Sequence, residues 1–235
     1  MEVILKSMAD VENVKKKITE LCQLPSYKEA KALFNYYQNH WFNMLQYSDE
    51  AICPFGCWFK FCDENDIYNV YNIEFVNALA DEIKKLNLAP VAEICAGNGK
   101  LSYHLRERGI DIIATDDYSF TFIERDEKLV ERLSHRETLE KYKPRIVVAA
   151  WIPFGSEIEL EILKNPHVKH LIVIGDRKCC GSQDCYESLR NLAKSRLLKD
   201  VTQYSLCRSD NSETVESIEK RRSRVEIFDK IASSS

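Results

Sequence analysis

Two periodicities divide the chain. Between residues 10 and 47 apolar side chains recur every three or four positions, with Phe34, Tyr37, Trp41 and Leu45 on one face, which predicts a helix that packs along that stripe. The pattern breaks over residues 48–66, where AICPFGCWFKFCDEND carries Pro54 and Gly56 and predicts a loop rich in aromatics and thiols. Helical spacing resumes through Ile73, Phe75, Val76, Leu79, Ile83 and Leu86 and stops near Asn87 and Pro90. From Val91 onward short apolar runs alternate with helical stretches, the texture of a parallel sheet covered by helices. Strands are predicted at Val91 to Cys95, Ile110 to Thr115, Arg145 to Ala150 and Val168 to Ile174. Thr202 to Cys207 and Arg224 to Phe228 read as a final pair, antiparallel because the intervening SDNSETVESIEKRRS is too polar for a buried crossover helix. The chain thus divides into a helical extension over residues 1–88 and an α/β domain over 89–235.

The chemistry concentrates in VAEICAGNGKLSYHLRERGIDIIATDD. Gly97 and Gly99 lack Cβ atoms and fall at a strand-to-helix turn, where the chain can bend sharply and bring backbone N–H groups to a ligand at a helix start. Asp116 and Asp117 end the next strand about 20 residues later, the place from which a carboxylate reaches ribose hydroxyls. A dinucleotide fingerprint would want an apolar residue at 93, glycine at 95 and glycine or alanine at 102; the chain has Glu93, Cys95 and Ser102, so a nicotinamide oxidoreductase is a poor match.

Glu-x-Cys-x-Gly-x-Gly resembles instead the first motif of the class I S-adenosylmethionine-dependent methyltransferases, and the resemblance extends over roughly residues 68–206. It implies an α/β, Rossmann-like methyltransferase sheet, mostly parallel with an antiparallel C-terminal strand, and S-adenosylmethionine as cofactor. It places Glu93 and the backbone of Cys95, Ala96, Gly97, Asn98 and Gly99 around the methionine portion, Asp116 at the ribose, and Asp117 and Tyr118 beside the adenine. An acidic wall suits a ligand that carries an ammonium and a sulfonium. Ala150 leads into Trp151-Ile-Pro-Phe-Gly, which by the same resemblance flanks the transferred methyl group, so Trp151 and Phe154 are the candidate catalytic residues and Pro153 a substrate contact. Amino-methylating members that act on nucleobases often carry Asn or Asp, then Pro-Pro-aromatic, at this loop; Trp151 and Ile152 depart from that pattern and argue against a nucleobase amine. Tyr68 and Tyr71 are candidate lid aromatics contacting substrate, and Cys180, after the strand HLIVIGD, is a further candidate contact whose thiolate Arg177 and Lys178 would favour.

Composition narrows the partners. Thirty-three Lys and Arg against thirty-seven Asp and Glu give a formal charge of −4, so no global positive field draws in nucleic acid or an anionic membrane. The start MEVILKSMADVENVKKK does not resemble a secretory signal, and the longest apolar run, Ile146 to Phe154, falls well short of the ~20 residues that span a bilayer. Nine cysteines, an odd number, read as free thiols of a reducing, cytoplasmic compartment. Neither Cys53, Cys57 and Cys62 nor Cys179, Cys180 and Cys185 has the spacing of a zinc ribbon, so no metal is expected. His104 shares a helix face with Leu101 and Leu105 and reads as packed. Lys220, Arg221, Arg222 and Arg224 read as a solvated loop or a phosphate contact. The resemblance implies methyl transfer, which the acidic balance directs to a small molecule or protein side chain; the alternative is a non-catalytic binding or regulatory protein that keeps the pocket.

Overall fold

The structure is a computed structural model that describes residues 5, 7–44, 56–121, 123 and 125–231, without the side chains of 40–44 and 183. Its helical N-terminal part is built from α1 (Met8–Thr19), α2 (Tyr27–Met44), α3 (Gly56–Glu64) and α4 (Ile73–Leu86). Ser7 starts α1 with a reciprocal cap, its hydroxyl accepting the Asp10 N–H while the Asp10 carboxylate accepts the Ser7 N–H. The single helix expected over residues 10–47 is two helices, because the chain turns between Thr19 and Tyr27 through Pro25, which has no N–H to continue a helical ladder. Of its apolar stripe, Phe34 is fully buried; Leu45 and the Trp41 side chain lie outside the described residues. The expected loop over 48–66 is in part helix: Trp58, Phe61 and Cys62 of α3 recur at helical spacing and bury against Phe34, Leu33 and Val14. Asn72 caps α4 by accepting the Phe75 N–H at 2.9 Å, and Asn87 ends it in a left-handed conformation at φ 48°.

The remainder alternates: β1 (Val91–Ile94), α5 (Lys100–Arg106), β2 (Ile112–Asp116), β3 (Glu131–Arg132), α6 (His135–Tyr142), β4 (Ile146–Ala150), α7 (Ile158–Lys164), β5 (His170–Gly175), α8 (Gln183–Leu192), β6 (Ala193–Leu197), α9 (Lys199–Thr202) and β7 (Arg224–Lys230). The sheet order is β3-β2-β1-β4-β5-β7-β6, parallel except that β7 runs against both neighbours. Leu79, Ile83, Leu101 and Leu105 cover one face over Ile146, Val148 and Ile172. Leu160, Leu163, Tyr186 and Leu189 cover the other over Val147, Ala149 and Leu171. A sheet buried on both faces explains why β1, β4 and β5 read as unbroken apolar runs.

The antiparallel partner of β7 is not the expected strand. Thr202 to Cys207 is the end of α9 and a turn, touching a strand-like segment only at the bridge Asn69↔Cys207. The strand is AKSRL at 193–197, an edge strand whose Lys194, Ser195 and Arg196 are exposed, so it carries no apolar signature. The basic run is solvated only in part: Lys220 is exposed and Arg222 and Arg224 half-buried, but Arg221 is buried and donates to the Ser205 carbonyl at 2.8 Å and the Gln203 carbonyl at 3.1 Å, which ties the long connection back onto the turn after α9.

Candidate functional site

Parallel strands all end on one side of the sheet, and β1 and β4 lie side by side at its centre with β2 next to β1, so the loops after all three converge there. After β1 the backbone takes left-handed conformations at Cys95 (φ 58°), Gly97 (φ 57°) and Gly99 (φ 80°). The two glycines serve different ends. A Cβ on Gly97 would meet nothing within 4 Å, whereas one on Gly99 would lie 2.5 Å from Val130 Cγ2. Gly97 faces open space; Gly99 lets α5 begin against the Leu129–Val130 segment. Cys95 holds the same left-handed geometry with a side chain, at a local cost of about 1–2 kcal/mol.

Asp116, at the end of β2 and mostly buried, gathers this loop. Its carboxylate accepts the Gly97 N–H and the Tyr118 N–H, each at 2.9 Å, and pairs with Arg125 Nη2 at 2.9 Å. The Arg125 guanidinium lies 4.7 Å from the centre of the Tyr118 ring. After β4, Trp151 (φ 53°) turns the chain aside while its N–H donates to the Ile174 carbonyl at 2.8 Å. The Trp151 ring lies 5.6 Å from that of Tyr68.

Two adjoining cavities result. The smaller, about 120 Å³, brings together Glu93, Ala96, Gly97, Asn98, Tyr71 and Trp151, closed from above by Ile18 and Thr19 of α1. The larger, about 380 Å³, is bounded by Asp116, Asp117, Trp151, Pro153, Phe154 and Arg208. Cys95, Gly97, Ala150, Tyr68 and Trp151 line both. Phe154 is 75% exposed, a rim rather than a wall. Three expected residues stand elsewhere. Gly99 lies behind the loop, and Tyr118 packs on Leu129 and Val130 with its hydroxyl donating to the Val130 carbonyl at 2.7 Å. Cys180 is buried beneath Gly175, and burial pushes its thiol up to about 12, opposite to the thiolate expected from its basic neighbours. Cys53 lies outside the described residues. Among the described residues no three His, Cys, Asp or Glu side chains are grouped to hold a metal ion, and no helix is long and apolar enough to cross a membrane.

Sequence reasoning missed Lys100 and Arg208. Lys100 is mostly buried, and its ammonium donates to the carbonyls of Lys17 (3.1 Å), Ile18 (2.7 Å) and Glu20 (2.6 Å) at the C-terminal end of α1. Burial draws this ammonium down to about 8. A cation at the first position of a helix opposes the helix dipole, and that misfit was a legible sign of a tertiary task. Arg208, in the turn after α9, had no such signal.

Glu93 is 1% exposed, and its carboxylate accepts the Ser102 hydroxyl. Burial raises its pKa to about 7, against the lowering effect of the Ser102 hydrogen bonds and Arg106. Because the folded value lies above the ordinary 4.5, the native state holds more protons than the unfolded chain between pH 4.5 and 7. The contribution of this group to stability therefore falls as pH rises through that window. Glu93→Gln should flatten the pH dependence of the melting temperature between pH 5 and 8, and an unchanged slope would show that Glu93 does not titrate there.

A comparison with protein-family models finds no match, and none is found among curated proteins. Solved structures do resemble the chain. Magnesium protoporphyrin IX methyltransferase (ChlM) from Synechocystis PCC 6803, solved with bound SAM, aligns over 97% of this chain and 100% of its own at 11% identity and a TM-score of 0.42. A putative caffeoyl-CoA O-methyltransferase from Staphylococcus aureus aligns over 83% of this chain and 99% of its own at 13% identity and a TM-score of 0.43. Human N-acetylserotonin methyltransferase, in complex with SAM, aligns over 95% of this chain and 65% of its own at 8% identity and a TM-score of 0.42. The strand order with its single reversed strand defines the class of fold: a Rossmann-like, mostly parallel α/β sheet covered by helices on both faces.

Proposed function

We propose that the protein is an S-adenosylmethionine-dependent methyltransferase whose acceptor is a small molecule or a protein side chain. The observation that carries this reading is a buried carboxylate, Glu93, in the same cavity as the open side of Gly97. The ammonium of an amino-acid moiety fits such a place: the Glu93 carboxylate offsets its charge, and the missing Cβ admits it close to the backbone. Asp116 and Asp117 in the adjoining cavity suit the ribose, and the half-buried face of Trp151 between the two cavities suits a sulfonium. When bound, the donor supplies an activated methyl carbon for in-line displacement. The chain's own work is positioning: Trp151 and Phe154 hold the acceptor face, Tyr68, Tyr71 and Pro153 shape its approach, and α1 excludes water above the smaller cavity. Residues 1–88 act in this reading as the lid of the 89–235 domain.

Isothermal calorimetry with S-adenosylmethionine and S-adenosylhomocysteine tests the reading; no binding of either ends it. Trp151→Ala supplies a sharper version. Loss of a cation–π contact should weaken the sulfonium compound by about 1–2 kcal/mol more than the thioether product. Equal losses for the two ligands would remove Trp151 from the sulfonium site. A non-catalytic role is the second reading, and the Asp116–Arg125 pair favours it, since a ribose must compete with an arginine already in place. Binding without methyl transfer to any acceptor in cell extract, followed with radiolabelled donor, would favour that alternative.

A further inference from the structure

A third cavity, about 630 Å³, opens between the helical extension and the turn after α9, lined by Tyr37, Cys57, Phe59, Asn211 and Arg222. Cys179 and Arg208 line both this cavity and the larger one at Trp151 and Phe154, so the two meet at these side chains. The Arg208 guanidinium lies 4.0 Å from the centre of the Tyr68 ring and 5.4 Å from that of Phe59. Its backbone is pinned: its N–H donates to the Tyr68 carbonyl at 3.1 Å, and the carbonyl of Cys207 before it accepts the Trp58 indole N–H at 2.9 Å.

Charge is distributed unequally along this path. Asp116 and Asp117 stand at one end, and Arg208 and Arg222 with the single acid Asp210 at the other. Of the carboxylates near the basic end, Asp210 is held by backbone and hydroxyl donors and Asp176 is taken up by Arg222, which leaves Arg208, among the described residues, as the cation that faces both cavities. Asp210 is buried and accepts the Cys207 N–H at 2.8 Å and the Thr214 hydroxyl at 2.7 Å, and Asp176, almost wholly buried, pairs with Arg222 Nε at 2.7 Å. Arg208 Nη1 stands 3.5 Å from Asp63, a carboxylate 62% exposed, and pairs of that kind stabilise little. A planar guanidinium held against aromatic rings, with only a solvated acid as ion-pair partner among the described residues, is arranged to take a planar or tetrahedral anion through parallel N–H donors.

We propose that the methyl acceptor is a small molecule with an apolar or aromatic body and an anionic group, carboxylate or phosphate, that Arg208 holds at the junction of the two cavities. The proposal rests on the methyltransferase reading and adds the acceptor's class and its orientation: the anion lies toward Arg208, and the reacting atom toward Trp151. Arg208 is a specificity-determining residue in this scheme.

The test uses the full chain saturated with S-adenosylhomocysteine and three probes, benzoate, phenyl phosphate and neutral benzyl alcohol, followed by ligand-observed NMR titration. At least one anion should bind tenfold or more tighter than benzyl alcohol, and which one does so separates carboxylate from phosphate. Arg208→Gln should erase the preference, with Arg208→Lys falling between. In the wild type the Arg208 side-chain Nε resonance should shift with the anion and not with the alcohol, a readout that does not depend on any variant folding. Equal binding of the three probes, absence of anion binding, or a preference that survives Arg208→Gln would overturn the inference. Failure of S-adenosylhomocysteine to bind would strike the methyltransferase reading instead, and the anion preference is then read on the chain alone.

Discussion

Gly97→Val should abolish binding of S-adenosylhomocysteine, at least a hundredfold by calorimetry, while the protein stays folded. Gly97 has φ 57°, so any side chain there adds about 1–2 kcal/mol of backbone strain. Its Cβ meets no protein atom within 4 Å, so the isopropyl group does not clash with the fold and instead enters the space over the β1 loop. Gly99→Val should behave in the opposite way. Its φ of 80° imposes similar strain, but the added Cβ would lie 2.5 Å from Val130 Cγ2 and 3.2 Å from Leu129 Cδ2, in packed surroundings. Overpacking adds about 1–3 kcal/mol to that strain, and the sum is a large share of a typical domain's stability. A melting temperature that falls more for Gly99→Val than for Gly97→Val, with binding lost outright in the latter, is the expected pattern. Equal melting temperatures together with retained binding by Gly97→Val would mean that this side of the loop faces no ligand.

Lys100→Met should loosen α1 from the rest of the molecule. The ammonium serves three carbonyls at the end of α1 at once, and methionine matches the length of the side chain but donates nothing. Hydrogen bonds from charged groups contribute about 1.5–3 kcal/mol, and the stranded carbonyls regain water only if the helix end lifts. A loss of about 2–4 kcal/mol follows, part of it returned because the cost of burying the charge disappears with it. Hydrogen exchange should quicken across residues 8–24, while amides of β4 and β5 keep their protection. Since Ile18 and Thr19 close the smaller cavity, ligand dissociation should accelerate in the same variant. Unchanged exchange in α1 would show that its apolar contacts, Val11, Val14 and Ile18 among them, hold it without the lysine.

The parallel strands were legible because a sheet covered on both faces leaves an unbroken apolar run, as Ile146 to Ala150 does. The edge strand at 193–197 was not, because exposed Lys194, Ser195 and Arg196 carry no trace of the sheet they complete. Helix α3 was hidden for a related reason: its aromatics and thiols repeat at helical spacing, but Pro54 and Gly56 just before them look like a loop. At the candidate site, Glu93, Gly97 and Asp116 were legible together because a strand–turn–helix followed by an acid after the next strand is a local pattern. Tyr118 was drawn away by a hydrogen bond to Val130, a partner set by the tertiary fold and not by the twelve-residue separation.

The amino-acid sequence alone determined where the central strands lie along the chain, the bend after β1 and the acids that border it, since each depends on neighbours within one strand–turn–helix unit. Only the tertiary structure decided that Lys100 clasps the end of a helix 80 residues or more away, that Cys180 lies beneath Gly175 at the end of β5 instead of in the cavity, and that Arg208 stands where two cavities meet. Those outcomes turn on which distant backbone groups and rings a long side chain reaches once the layers have packed, and spacing along the chain carries no record of that.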